Sequence, residues 1–186
     1  MDFQDLIRSL DAAVDAADDA TRCAAVADSL KDAIRDGGSF LDASVCAPVE
    51  GHYGRRLLHR DPAGRYTMIA MIWGAGQGTA LHDHAGIWCV EAVYQGNVRV
   101  ISFARTADKD SCNGVYDFRK EDEIVTGVGD AGALIPPYEY HILENASEST
   151  AVTIHVYGGE MEVCRIFEPL AEGGWQRVEK SLAYDG

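Results

Sequence analysis

Apolar positions in the first 35 residues recur at steps of three and four. Leu6, Leu10, Ala13 and Val14 make one set, and Ala24, Val26, Leu30 and Ile34 a second. That spacing predicts helix over residues 3–35. Asp18–Thr21 predicts a break into two helices, and Gly37-Gly38 a stop for the second. From residue 52 the period changes. The runs 66–73, 89–94, 97–103 and 151–157 are rich in β-branched and aromatic residues, and each is bounded by Gly, Pro, Asn or Asp. They read as strands at the spacing of an all-β sandwich or barrel. Asp61–Gly64, Gly74–Gly78, Gln95–Asn97 and Gly127–Gly132 supply the turns. No internal repeat or low-complexity linker interrupts the pattern. One domain is the economical reading of 186 residues, with the helical segment (1–38) packed on the outside of a β domain.

The formal net charge of −14 argues against a nucleic-acid partner, whose phosphates call for basic patches. No apolar run approaches the roughly 20 residues of a membrane helix. The N-terminus has neither a basic nor an apolar region of the kind that opens a signal peptide. Five cysteines at wide spacing, without a CxxC, argue against a disulfide framework and for a reducing cytoplasm. The expected form is a monomer or small homo-oligomer.

Four of the six histidines, His82, His84, His141 and His155, fall in β-rich segments. On a strand, residues i and i+2 point to one face, so His82 and His84 can reach one metal together. His141 is the best candidate for a third ligand. Zinc accepts three imidazoles as iron does, so the triad alone does not name the ion.

The frame around these histidines resembles the cupin pattern. Gly76 is followed by five residues, then His82-Asp83-His84, then four residues, Cys89, six residues and Gly96. Cys89 stands where cupins carry Glu. Pro136, His141 and Asn145 fit the second motif, with Tyr138 at its glycine position. Glu91 stands two residues past Cys89. It would complete a three-His, one-Glu site if the strand were slipped, which the ungapped spacing argues against. Tyr53-Gly54-Arg55, His141-Ile-Leu-Glu-Asn145 and Thr153-Ile-His155-Val-Tyr157 extend the likeness over about residues 50–168. Together with the Cys-for-Glu exchange they resemble the cysteine dioxygenase family.

That resemblance implies a mainly β cupin jelly-roll barrel with an N-terminal helical segment. It implies Fe(II) on His82, His84 and His141, and addition of O2 to the sulfur of a small thiol carboxylic acid. L-cysteine is the first choice and 3-mercaptopropionate or mercaptosuccinate the alternatives; a non-catalytic metal-binding cupin is the reading from another class. Arg55 is implied as the substrate-carboxylate anchor, a role its planar fork of donors suits, with Tyr53 on the same face. Arg56 and Arg165 are weaker candidates for that contact. Thr153, His155 and Tyr157 alternate and can share one interior, forming a hydrogen-bonded relay that orients Tyr157. Cys89 and Tyr157 are implied as partners in a thioether. Trp73 and Trp88 are expected in the wall or core near the site.

Overall fold

The computed structural model describes residues 1–35, 40–137 and 139–185, with the side chains of 107–111 left aside. Helix α1 (Phe3–Ala13) opens with a reciprocal cap, in which the side chains of Asp2 and Asp5 each accept from the other's backbone N–H. Helix α2 (Asp19–Arg35) follows Asp18, whose carboxylate accepts from the Thr21 N–H at 2.9 Å. The break thus covers Val14–Asp18 rather than Asp18–Thr21, because Asp18 serves as a cap and Thr21 already lies in the helix. Arg22 closes the break by donating to the carbonyls of Val14 and Ala16. Gly37-Gly38, and Tyr138 further on, lie outside the described residues.

The strands are β1 (Gly54–Arg60), β2 (Thr67–Trp73), β3 (Leu81–His82), β4 (Cys89–Gln95), β5 (Val98–Asp110), β6 (Val115–Thr126), β7 (Ala131–Leu134), β8 (Tyr140–Asn145), β9 (Ala151–Tyr157), β10 (Val163–Pro169) and β11 (Trp175–Ser181). One sheet has the order β1-β2-β9-β4-β7, and the other closes as β10-β11-β6-β5-β8-β3. This is a mainly β cupin jelly roll with N-terminal helices. Strand β7 begins inside the stretch read as a turn, so the turn itself is only 127–130.

Every residue of β2 and β9 is buried. The cause is the helical segment. Met68, Ala70, Ile72, Val152, Ile154 and Val156 point outward and pack with Leu6, Leu10 and Leu30 of the helices. Ile69, Met71, Trp73, Ala151 and Tyr157 point inward and pack with Cys89, Val93 and Leu143. With both faces covered, β2 reads as a nearly unbroken apolar run, and β9 departs from one only at the inward Thr153 and His155. Arg65 ties the helices to the β1–β2 turn, donating to Asp61, Asp11 and Asp15 at 2.8 Å each. Gly96 turns the chain at φ 74°, and a Cβ there would meet Ala151 at 3.0 Å. Among the described residues no helix is long and apolar enough to cross a membrane.

Candidate metal centre and substrate pocket

The three histidines converge. His82 and His141 are direct cross-strand partners on β3 and β8, and their Nε2 atoms lie 3.2 Å apart. His84 joins them, with ligand atoms of all three within 4.8 Å of one another. It does not do so from a strand: β3 ends at His82. Asp83 preserves the alternation instead. Its carboxylate accepts from the Arg165 backbone N–H at 3.0 Å and guanidinium at 3.2 Å, and its own N–H donates to the Arg165 carbonyl. With Asp83 held outward, its two neighbours turn in.

Burial pushes the His84 and His141 imidazoles well below the ordinary histidine pKa and that of His82 below it. All three are therefore neutral near pH 7, the form that ligates a metal. His82 Nδ1 lies 3.1 Å from the Ala80 carbonyl, which can only accept. Nδ1 must carry the proton, and the Nε2 lone pair faces His141. His84 Nε2 is buried with no hydrogen-bond partner among the described residues. Converging lone pairs and an orphaned buried nitrogen fit a divalent cation.

Strands β4 and β9 pair without a slip here, placing Cys89 opposite Tyr157 and Glu91 opposite His155. Cys89 is fully buried and Tyr157 nearly so. Burial raises the thiol and the phenol well above their ordinary values, so both are protonated at neutral pH. Glu91 also faces inward, because it sits two residues beyond Cys89 on the same face of β4. Its Oε1 is 3.2 Å from His155 Nδ1, 3.5 Å from His141 Nε2 and 3.9 Å from His84 Nε2. The slip that the sequence reading required is unnecessary.

The relay is longer than expected. The Trp73 indole N–H donates to Thr153 Oγ1 at 3.0 Å, Thr153 Oγ1 lies 2.7 Å from His155 Nε2, and the Tyr157 hydroxyl lies 3.3 Å from His155 Nδ1. Thr153 Oγ1 accepts from Trp73, whose indole nitrogen can only donate. Trp88 is elsewhere: it packs with the outward cluster under the helices, not in the site.

A narrow cavity beside the histidines is lined by Tyr53, Arg55, His82, His155, Tyr157 and Lys180, among others. Arg55 is 5% exposed. Its backbone N–H donates to the Asp185 carboxylate at 2.7 Å, while its guanidinium donates to the carbonyls of Met161 (3.0 Å) and Ala183 (3.5 Å) and has no carboxylate partner among the described residues. Arg56 points the other way and donates to the Ser44 and Val45 carbonyls. Arg165 is engaged with Asp83 on the outside of β10. Neither lines the cavity. Lys180 was missed by sequence reasoning, since β11 carries no motif. It reaches the cavity because it pairs with the buried Cys164, and its Nζ lies 5.5 Å from the Tyr53 ring centre. A larger cavity of about 530 Å³ borders the histidines from another side, with Glu91, His141 and Thr153 in its wall.

The sequence profile of the family described as cysteine dioxygenase type I matches residues 46–169. The chain belongs to the cysteine dioxygenase family. It is 29% identical over 106 residues to cysteine dioxygenase type 1 of Homo sapiens, covering 56% of this chain and 50% of that one. The corresponding protein of Rattus norvegicus is 24% identical over the same length, with the same coverage. The chain thus spans about half the length of the curated relatives it matches. Among solved structures, a cupin 2 conserved barrel domain protein from Rhodopseudomonas palustris is similar with a TM-score of 0.47 and 16% identity, over 68% of this chain and 75% of that one. Every candidate residue named from the sequence lies in the family match; Lys180 and the C-terminal residues holding Arg55 lie beyond it.

Proposed function

We propose that this protein is a thiol dioxygenase: with iron held by His82, His84 and His141, it adds both atoms of O2 to the sulfur of a small thiol carboxylic acid to give a sulfinic acid. The observation that carries the reading is the convergence of three neutral imidazoles beside a cavity holding a buried, carboxylate-free guanidinium. Iron bound there would supply the redox chemistry with dioxygen. The protein's own side chains do the rest. Arg55 binds the substrate carboxylate with the N–H groups left over from its two carbonyl contacts, and so orients the thiol toward the histidines. Tyr157 holds a proton at its hydroxyl beside His155 Nδ1. His155 is fixed in turn by Thr153 and Trp73. The apolar walls contributed by Met71, Leu143 and Ile166 exclude water.

L-cysteine is the first choice of substrate. A specific observation supports a second reading. Lys180 gives the cavity a second cation, in the role the sequence had offered to Arg165, and two cations suit a thiol dicarboxylate such as mercaptosuccinate. The facing of Cys89 and Tyr157 supports a thioether between them, formed by oxidation at the iron centre. Anaerobic iron loading followed by oxygen uptake and sulfinate analysis with L-cysteine, 3-mercaptopropionate and mercaptosuccinate tests the assignment. Iron-dependent sulfinate from one of these supports it. No uptake with any of them would leave a metal-binding cupin without catalysis. Peptide mass spectrometry tests the thioether: full activity with no joined 89/157 peptide removes it.

A further inference from the structure

Residues 182–185 follow β11 and pass beside β1, outside the stretch that matches the family. Three of them engage Arg55 directly. The Ala183 carbonyl accepts from Nη1 at 3.5 Å. The Tyr184 ring lies against the guanidinium, with Cζ 4.8 Å from the ring centre. Asp185 clips the backbone on both sides: its carboxylate accepts from the Arg55 N–H at 2.7 Å, and its own N–H donates to the Arg55 carbonyl at 2.8 Å. Leu182 lines the narrow cavity and donates its N–H to the Glu162 carbonyl at 2.8 Å. Tyr184 is pinned at its far end as well. Its hydroxyl donates to Glu160, a carboxylate that also accepts from Arg60 at 2.7 Å.

The contacts to the guanidinium share one chemical property. A cation that is 5% exposed needs compensation for the water it has lost. Two carbonyls and an aromatic face supply this without cancelling the charge. The Asp185 carboxylate is occupied elsewhere: Oδ2 takes the Arg55 backbone N–H, and Oδ1 lies 3.1 Å from His52 Nε2. A carboxylate on the guanidinium itself would compete with a substrate carboxylate for the same fork. Of the five guanidinium N–H groups, two go to carbonyls and three remain. The ring covers one face, so those three act in the guanidinium plane.

We propose that Tyr184 is a positioning residue for substrate binding: its ring, carried on the segment 182–185, holds the Arg55 fork in the orientation that meets the substrate carboxylate. The inference rests on the anchor role proposed for Arg55 above. It places part of the carboxylate site in a segment that carries no family motif.

The test is a double-mutant cycle read by anaerobic equilibrium dialysis, in which labelled L-cysteine, 3-mercaptopropionate or mercaptosuccinate binds the iron-loaded full chain without turnover. Tyr184→Ala should weaken binding about 3- to 30-fold, the value of a cation–π contact at a desolvated site. Tyr184→Phe keeps the ring and should stay within about twofold of wild type. In an Arg55→Ala background, Tyr184→Ala should cause no further loss, because the ring acts only through the guanidinium. A full additional loss in that background, wild-type affinity in Tyr184→Ala, or an equal loss in Tyr184→Phe overturns the proposal and leaves the functional reading standing. Arg55→Ala with wild-type affinity removes the anchor role and this proposal with it. No binding of any of the three acids to the wild type overturns the dioxygenase reading as well.

Discussion

Thr153→Val removes one oxygen from the centre of the relay while nearly keeping the side chain's shape. That oxygen accepts from the Trp73 indole N–H and lies 2.7 Å from His155 Nε2, and both residues are buried. Valine would strand the Trp73 indole donor and the facing His155 ring nitrogen. Each stranded group costs about 1–3 kcal/mol, so the loss should be about 2–6 kcal/mol. In a chain of this length 1 kcal/mol moves the melting temperature by about 2–4 °C. The metal-free variant should therefore melt roughly 4–24 °C below wild type by circular dichroism. Thr153→Ser keeps the hydroxyl and loses one methyl group, worth about 1 kcal/mol, and should melt close to wild type. Melting both variants without metal keeps ion binding out of the comparison. If the valine variant is as stable as the serine variant, the hydroxyl does not carry the load assigned to it and the relay argument fails.

Arg55→Ala should lower kcat/KM for the thiol acid by about 10- to 100-fold, the value of a charge-assisted hydrogen bond, while Arg56→Ala should leave it unchanged. Steady-state oxygen uptake decides between them, and equal losses would remove the carboxylate role from Arg55. Asp61 is held at a pKa of about 2, against an ordinary 3.8, chiefly by the hydrogen bond from the Arg65 side chain. Because the folded value is the lower one, this carboxylate stabilises the fold above about pH 4 and loses that contribution as the pH falls toward 2. Urea unfolding across that window should show a shallower acid loss in Arg65→Ala than in wild type; identical slopes would mean the Asp61–Arg65 link adds nothing.

Much of this architecture is written in the local pattern, and the exceptions have physical causes. His82, His141, Cys89 and Tyr157 were legible because ligand geometry and strand alternation act over a few residues, and the motif spacings preserve them. The hairpin of β5 and β6 was read only as far as Phe103, because much of β6 is exposed and charged, with Lys120, Glu121, Asp122 and Glu123 in succession. Such a strand is held by its ladder to β5, which composition does not display. His84 was placed correctly for an incomplete reason: its orientation depends on Asp83 gripping Arg165, residues 82 apart in sequence. Glu91 was set aside because a slip was thought necessary, although the alternation that turned Cys89 inward applied equally to it. Lys180 and the C-terminal carbonyl that engages Arg55 had no signal at all, since their roles arise only when β11 closes on β10.

The most direct measurement of the central claim is product analysis under ¹⁸O2 with the anaerobically iron-loaded protein and its preferred thiol acid. The account predicts one sulfinate per O2 consumed, carrying two labelled oxygens, and loss of both uptake and bound iron when His82 is replaced by alanine. A protein that retains one iron per chain yet consumes no oxygen with any thiol acid, or makes sulfinate equally well without His82, would contradict it.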